Sequence, residues 1–225
     1  PFNVACHIGD GEITAVLPAG VELSALVPEF VLSGDRLLYQ GQEAVSGETA
    51  FDFRAPVELT LAARDGSETA VTVRVEALST GLPSVALTTS DYAEIRSREE
   101  YQTCSLYVGG GDGTHCPYAA EQTVLASGAA KGRGNSSWGL PKSGYTVKLD
   151  EQVPLLDMPE SRHWALVANY EDKSLIRNYL ANYLAEQAGI AYVMQIRPVD
   201  FWYNGYYWGS YNLCEKVEVE KERVN

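Results

Sequence analysis

Short runs of alternating apolar and polar residues, separated by proline and turn dipeptides, constrain this chain more than any other feature. Val57–Leu61 and Val71–Val75 alternate with a period of two, and Asp65-Gly66 stands between them. This arrangement predicts a β-hairpin, because successive strand side chains point to opposite faces and Asp-Gly favours a tight turn. The rest of this region is interrupted by residues that disfavour long helices, namely Pro18, Pro28 and Pro56. Residues 1–80 are therefore predicted to form a β-sandwich.

Two short sequence segments in this region resemble those of a known type of module. They are Leu17-Pro18-Ala19-Gly20-Val21 and the turn Asp65-Gly66-Ser67 ahead of an alternating strand. With them, residues 1–80 resemble the bacterial immunoglobulin-like modules found on exported proteins. Because no carboxylate pair or histidine cluster stands out here, we expect a spacer or a module that binds a surface glycan or a protein.

Charge and hydropathy exclude several functional classes. The chain has 225 residues, a formal net charge of −13 and 45% hydrophobic residues, which is enough apolar content for a buried core. Because so acidic a surface repels phosphate backbones, general nucleic-acid binding is disfavoured. No apolar run approaches the roughly 20 residues that span a bilayer, and no signal peptide is recognisable at the start. All six lysines lie at or after Lys131, which agrees with a boundary between two modules.

The cysteines leave the redox question open. None of the four has C-x-x-C spacing, and the three histidines are scattered, so no metal site is predicted. Cys104 and Cys116 could close a short loop as a disulfide or remain two free thiols. Cys6 and Cys214 are interpreted as small apolar residues.

Residues 78–84 are predicted to link the first module to a second one, residues 81–225. Here Tyr145–Leu149 alternates as a strand, and Asp172–Ala188 has the apolar spacing of a helix, with Asp172 as its N-cap. Val199–Tyr203, Asn204-Gly205 and Tyr206–Leu213 predict a hairpin. The predicted fold class is α+β: a β-sandwich followed by an antiparallel sheet with one main helix.

Two features of the second module could carry chemistry. In Lys131-Gly132-Arg133-Gly134-Asn135-Ser136, glycines would let backbone N–H groups approach an anion that Arg133 could pair with. On composition alone, a turn bearing a surface cation is the favoured interpretation. Lys148 lies in a predicted strand and is either an ordinary solvated lysine or one that holds nucleotide phosphates.

Several ordered blocks carry a second resemblance, which covers roughly residues 82–225. They are Gly132–Trp138, Tyr145–Leu149, Leu155–Pro159, Trp164–Tyr170, Asp172–Asn178, Asn204–Tyr211 and Glu215-Lys216-Val217. In these blocks the chain resembles the N-terminal portion of the CotH kinase family, whose name comes from a spore-coat protein. The resemblance implies an atypical kinase fold with an N-lobe-like half, and it implies ATP with Mg²⁺ or Mn²⁺ as cofactors of the full-length protein.

The resemblance also assigns roles to residues. It implies nucleotide contacts from Arg133, Gly134, Asn135, Ser136 and Lys148, and a hinge beside the adenine at Glu215. The helix would orient Lys148, although neither Glu171 nor Glu186 is a secure partner for that lysine. Catalytic and metal-binding carboxylates are expected downstream of Asn225. Residues 1–225 alone are therefore expected to be inactive and to bind ATP only weakly.

The resulting functional prediction is an exported or cell-surface bacterial protein. When complete, it would transfer phosphate from ATP to serine or threonine of an unidentified protein substrate. The alternative is a cell-surface binding, adhesion or scaffolding protein with a kinase-like fold. An unrelated hydrolase ranks last, because neither G-x-S-x-G nor H-E-x-x-H occurs.

Overall fold

The computed structural model describes residues 3–18, 21–78, 80–111, 118 and 122–217. The chain divides into two compact units. One is Val4–Ser79, and the other contains Thr80–Asn225 together with Pro1–Asn3.

The N-terminal unit is built on one six-stranded sheet. Its strands are β1 (Cys6–Gly9), β2 (Glu12–Leu17), β3 (Arg36–Tyr39), β4 (Gln42–Glu43), β5 (Val57–Ala62) and β6 (Glu68–Ala77). Their order in the sheet is β1-β2-β6-β5-β3-β4. β2 and β6 run parallel, and the other neighbours are antiparallel. The hairpin predicted around Asp65-Gly66 is confirmed as β5 and β6.

The core of this unit lies between the sheet and two segments without regular strands, residues 23–32 and 44–53. Its buried members are Leu37, Ala44, Phe51, Phe53, Val57, Leu59 and Val73. Between these two segments, an isolated bridge pairs Leu26 with Phe51. The sandwich prediction therefore fits in part, because the second layer is irregular and the described residues contain one hydrogen-bonded sheet here.

The C-terminal unit is a closed barrel of seven strands. These are β7 (Ser84–Thr89), β8 (Gln102–Gly109), β9 (Thr123–Arg133), β10 (Gly144–Leu155), β11 (Met158–Val167), β12 (Ile196–Tyr203) and β13 (Tyr206–Glu215). The order is β10-β11-β13-β12-β7-β8-β9, and β9 pairs with β10 to close the ring. β12 and β7 are parallel, whereas the other pairs are antiparallel. Because every strand has two neighbours, the barrel leaves no sheet edge.

The predicted α+β class is wrong. Strands make up 49% of the described residues and helix 7%, so the fold is mostly β. The predicted antiparallel sheet with one main helix is instead a closed barrel that includes a parallel pair. Neither β8 nor β9 is among the predicted strands, and their pairings help to turn the sheet into a ring.

β9 escaped prediction because four of its five inward positions hold alanine or glycine, and Val124 alone is β-branched. Ala126, Gly128, Ala130 and Gly132 alternate along the strand and face the interior. A Cβ on Gly128 would lie 2.4 Å from the carbonyl oxygen of Lys148, so the neighbouring strand leaves no room for a side chain. The large members of the interior come from other strands, including Trp164, Phe201 and Tyr211. Pairing small with large residues is how a narrow barrel fills its interior.

The helix is shorter than predicted. α1 runs from Arg177 to Gln187, whereas the apolar spacing predicted Asp172–Ala188. Asp172 accepts hydrogen bonds from the backbone N–H groups of Ser174 (3.1 Å) and Arg177 (2.9 Å), which holds a turn ahead of the helix. Leu175 has φ +61°, a left-handed conformation that cannot belong to a regular α-helix. The spacing of apolar residues in the sequence does not reveal this interruption at Leu175.

Candidate functional site

The Gly-Arg-Gly motif lies where β9 ends and the loop to β10 begins. Arg133 is the last residue of β9 and is exposed; Asn135 precedes a short 3₁₀ helix, Ser136–Gly139. The carbonyl oxygen of Gly134 accepts a hydrogen bond from the Arg98 guanidinium at 2.9 Å. The structure thus keeps Arg133, Gly134, Asn135 and Ser136 together at one end of the barrel.

Packing accounts for both glycines of the motif. A Cβ on Gly132 would fall 2.3 Å from the indole ring of Trp138, so this ring lies directly against the Gly132 backbone. Gly134 has φ +116°, and a Cβ there would lie 2.3 Å from the Ser137 hydroxyl. Both glycines are therefore needed because residues of the same loop pack closely against their backbone. This holds whether or not the loop binds a ligand.

Three cations share the outer face of the barrel beside this loop. In the pairing of β9 with β10, Arg133 lies opposite Gly144, Lys131 opposite Thr146 and Ala129 opposite Lys148. Paired residues share a face, and side chains two apart share it too, so Lys131, Arg133 and Lys148 all point outward. Gly144, the partner of Arg133, lies four residues from Lys148 along β10. The two cations are therefore about 13 Å apart along the strand direction. Lys131 lies between them, with its Nζ 4.8 Å from the centroid of the Tyr101 ring.

Glu215 is not part of this face. It pairs with Trp164, which pairs with Val147, and both are residues of the barrel core. The buried carboxylate of Glu215 accepts hydrogen bonds from the backbone N–H of Gln195 at 2.8 Å and from the Tyr192 hydroxyl at 3.2 Å. The structure therefore joins five of the six predicted nucleotide contacts along β9, the loop and β10, and places the Glu215 side chain on the opposite face.

Lys142 is a cation of the same loop that sequence reasoning missed. Its ammonium donates a hydrogen bond to the carbonyl oxygen of Ser210 and lies 4.4 Å from the centroid of the Tyr211 ring. The Tyr211 hydroxyl in turn donates to the carbonyl oxygen of Ser143 at 2.8 Å. Partial burial lowers the pKa of Lys142. These contacts fasten the loop to β13, and nothing in the local sequence of Lys142 distinguishes it from a surface lysine.

Helix α1 does not bring a carboxylate toward Lys148 through any described contact. Arg177 pairs with Asp172 at 3.4 Å, and the side-chain amide of Asn178 donates to Asn169 at 2.9 Å, so both serve the start of the helix. Glu186 lies near the C-terminal end of α1 and is exposed. The acid that would pair with Lys148 stays unassigned.

The described residues bear on three further points: metal binding, membrane-spanning helices and the state of the cysteines. Among the residues described, no group of three or more His, Cys, Asp or Glu side chains could hold a metal ion. No helix in the described part of the chain is long and apolar enough to cross a membrane. Cys104 is buried and has no disulfide partner among the described residues; Cys116, with which it could form a disulfide, lies outside them.

The N-terminal unit has an open hollow of about 630 Å³ at one end of β3 and β5. Tyr39 lines one part of it, and its ring centroid lies 4.9 Å from that of Phe51 in the core behind. Asp52 and Arg54 line the hollow as a bidentate pair, with Nε–Oδ1 2.9 Å and Nη2–Oδ2 2.5 Å. Hydrogen bonds from Arg54 lower the pKa of Asp52 to about 2, so the pair stays charged at neutral pH.

Comparison with known families bears on both units. Residues 130–225 match the family described as CotH kinase protein. This match lies within the C-terminal unit, and residues 130–225 are called the CotH-like segment below. Residues 4–75 match the family described as SGBP, N-terminal, so the predicted N-terminal module ahead of the CotH-like segment is confirmed. No curated protein matches the chain.

The CotH match does not coincide with the barrel. It begins at Ala130, within β9, and takes in the Gly-Arg-Gly loop, β10, β11, α1, β12 and β13. β7, β8 and most of β9 precede it, yet they complete the ring. The residues that match the CotH family are therefore closed into a barrel by strands that lie outside the matched residues.

Proposed function

We propose that the C-terminal unit binds the phosphates of ATP and belongs to a protein that transfers phosphate to serine or threonine of another protein. The match of residues 130–225 to the CotH kinase family supports a kinase-like function for this unit. The observation that supports phosphate binding is the row of Lys131, Arg133 and Lys148 on one outer face, in an otherwise acidic chain. Bacterial origin and export remain part of this proposal, as does the surface location that an SGBP-type domain suggests.

The residues present fit the nucleotide phosphates but supply little else of a kinase site. Guanidinium and ammonium groups form charge-assisted hydrogen bonds with phosphate, and Arg133 and Lys148 are exposed enough to do so. The carboxylate of Glu215 already accepts two protein donors, so its proposed place beside the adenine stays a prediction. No described cluster fits Mg²⁺ or Mn²⁺, and no catalytic step is assigned to a metal here.

Titration of ATP followed by ³¹P NMR tests this proposal, because it detects weak binding. Losing a charge-assisted hydrogen bond costs roughly 1.5–3 kcal/mol, so Arg133→Ala and Lys148→Ala should each weaken binding at least about tenfold. Lys173→Ala removes an equally exposed lysine outside the row and should leave binding unchanged. Wild-type affinity in the first two variants, or no ATP binding by the chain at millimolar concentrations, would show that the row is an ordinary solvated face.

A second function, contact with a surface glycan or protein, is favoured by the SGBP match of residues 4–75. The hollow at Tyr39 combines a partly exposed aromatic ring with a fixed Asp52–Arg54 pair, which is the mixture of apolar body and oriented polar groups that small-molecule sites use. Screening the chain on a glycan array tests this. Binding that Arg54→Ala abolishes and Arg64→Ala leaves intact would support a glycan site at this hollow, and no glycan bound would refute the glycan part of the proposal.

A further inference from the structure

A short segment between β7 and β8, residues 95–98, crosses to the Gly-Arg-Gly loop. Its first residue, Ile95, is buried among the core side chains of the barrel, and its backbone N–H donates a hydrogen bond to the Tyr203 hydroxyl at 2.6 Å. The Ser97 hydroxyl accepts hydrogen bonds from two backbone N–H groups that follow it, at 2.9 and 3.1 Å, and these bonds shape the turn after the segment. The 95–98 segment is therefore anchored on the barrel.

This segment holds the loop at two points, one on each side of Arg133. The backbone N–H of Gly132 donates a hydrogen bond to the carbonyl oxygen of Ser97 at 2.8 Å. The Arg98 guanidinium donates one to the carbonyl oxygen of Gly134 at 2.9 Å. Because glycine restricts its backbone less than any other residue, two flanking glycines by themselves would let Arg133 change direction. The two hydrogen bonds therefore restrict the backbone that carries Arg133.

The segment also places a fourth cation at one end of the row formed by Lys131, Arg133 and Lys148. Arg98 is exposed, and its guanidinium is bonded to the residue that follows Arg133. Within the part of the chain that the structure describes, none of these four cations forms an ion pair with a carboxylate. Like charges that are held close together repel one another. An anion bound at this end of the row would relieve that repulsion.

We propose that Arg98 is a positioning residue of the phosphate site, which fixes the backbone around Arg133 before the phosphates bind. This inference rests on the proposed binding of ATP. Ordering a loop and a long side chain when a ligand binds costs affinity, and a loop that is already held avoids much of that cost. The 95–98 segment precedes the CotH-like segment, so a part of the chain outside the matched residues sets the geometry of a loop inside them.

Titration of the 225-residue chain with ATP, followed by ³¹P NMR, tests this role. Arg98→Ala should weaken binding about three- to tenfold, the cost of ordering one long side chain. Arg96→Ala is the matched control. It removes the same charge two residues away, but Arg96 is paired with Glu94 at 3.4 Å, so the affinity should stay within about twofold of the wild type. Equal losses in the two variants, or wild-type affinity in Arg98→Ala, would overturn the proposal.

A double-mutant cycle separates positioning from direct contact with the ligand. If Arg98 acts through Arg133, adding Arg98→Ala to Arg133→Ala should weaken ATP binding by less than about a further twofold. If Arg98 itself contacted the phosphates, the losses of the two single variants would multiply. That result would contradict the positioning role.

Backbone amide exchange tests the hold on the loop without any nucleotide. The Gly132 N–H should exchange with deuterium several times faster in Arg98→Ala than in the wild type or in Arg96→Ala, because the segment then holds the loop at one point instead of two. Unchanged exchange would contradict the proposal.

The two proposals fail in different ways. Weaker ATP binding in Arg133→Ala and Lys148→Ala, with none lost in Arg98→Ala, would overturn the role of Arg98 alone. A wild type that binds no ATP would overturn the proposed function and, with it, this role.

Discussion

The barrel interior and helix α1 use the same kinds of residue to opposite effect. Tyrosine and leucine fill the ring at Tyr145, Leu166, Tyr211 and Leu213, all of which are buried. Tyrosine and leucine also occur on α1, at Tyr179, Leu180, Tyr183 and Leu184, where about half of each side chain stays in water. Composition therefore says little about burial. Strand pairing on both sides of each barrel strand creates an interior, whereas a single helix with no buried residue creates none.

The largest expected effect comes from removing a core ring. Trp164 is fully buried, and its indole N–H donates to the carbonyl oxygen of Ser161 at 3.1 Å. Trp164→Ala should lower the free energy of unfolding by about 3–5 kcal/mol, because it leaves a large cavity. Tyr179→Ala on α1 should change it by less than about 0.5 kcal/mol. Urea denaturation of both variants makes the comparison, and similar losses would mean that α1 is packed as tightly as the barrel.

A middle-sized effect should come from adding a single methyl group to β9. Gly128→Ala places a Cβ 2.4 Å from a backbone oxygen of β10, and backbone cannot swing aside as a side chain can. We expect a loss of about 1–3 kcal/mol in the free energy of unfolding. Gly139→Ala is the control, because a Cβ there meets nothing within 4 Å. If thermal unfolding shows no difference between the two alanine variants, β9 does not lie against β10 as described.

The smallest effect concerns the turn ahead of α1. Hydrogen bonds from Ser174 and Arg177 lower the pKa of Asp172 below its ordinary value near 3.8. The turn is therefore stabilised at neutral pH, and this contribution is lost as the pH falls below about 4, through the depressed pKa. The amide resonances of Ser174 and Arg177 should shift over that range in NMR spectra while those of the barrel strands hold. Asp172→Asn should abolish the titration, and an unchanged midpoint near 3.8 would mean that the hydrogen bonds do not form.

Sequence patterns succeeded where a local rule dominates. The hairpin at Asp65-Gly66 and the one at Asn204-Gly205 follow from alternation and turn chemistry, and both are present. The strand β9 was not predicted, because its glycines and alanines are required by packing against strands that are distant in sequence. A short window of sequence does not contain those strands. The same holds for the site: Arg133 and Lys148 were identified from motif and strand, but their common face with Lys131 depends on the register of β9 and β10. The resemblance places Glu215 at a hinge beside the adenine, and this stays a prediction; the pairing with Trp164 shows only that its side chain lies on the face opposite the three cations.

The parallel pairing of β7 with β12 has a consequence for how the protein is made. Val85 and Leu87 bond to a strand that begins at Ile196, more than 100 residues later. During synthesis, β7 therefore leaves the ribosome long before its partner exists, and it must wait with β8 as an open, apolar-faced hairpin. Contacts between such distant residues slow folding, and unpaired strands invite association with other chains. β6 is the last strand of the N-terminal sheet along the chain. That sheet can therefore form while the strands of the barrel are still being translated. We therefore expect the nascent chain to need chaperones most after β8 has been synthesised and before β12 has been.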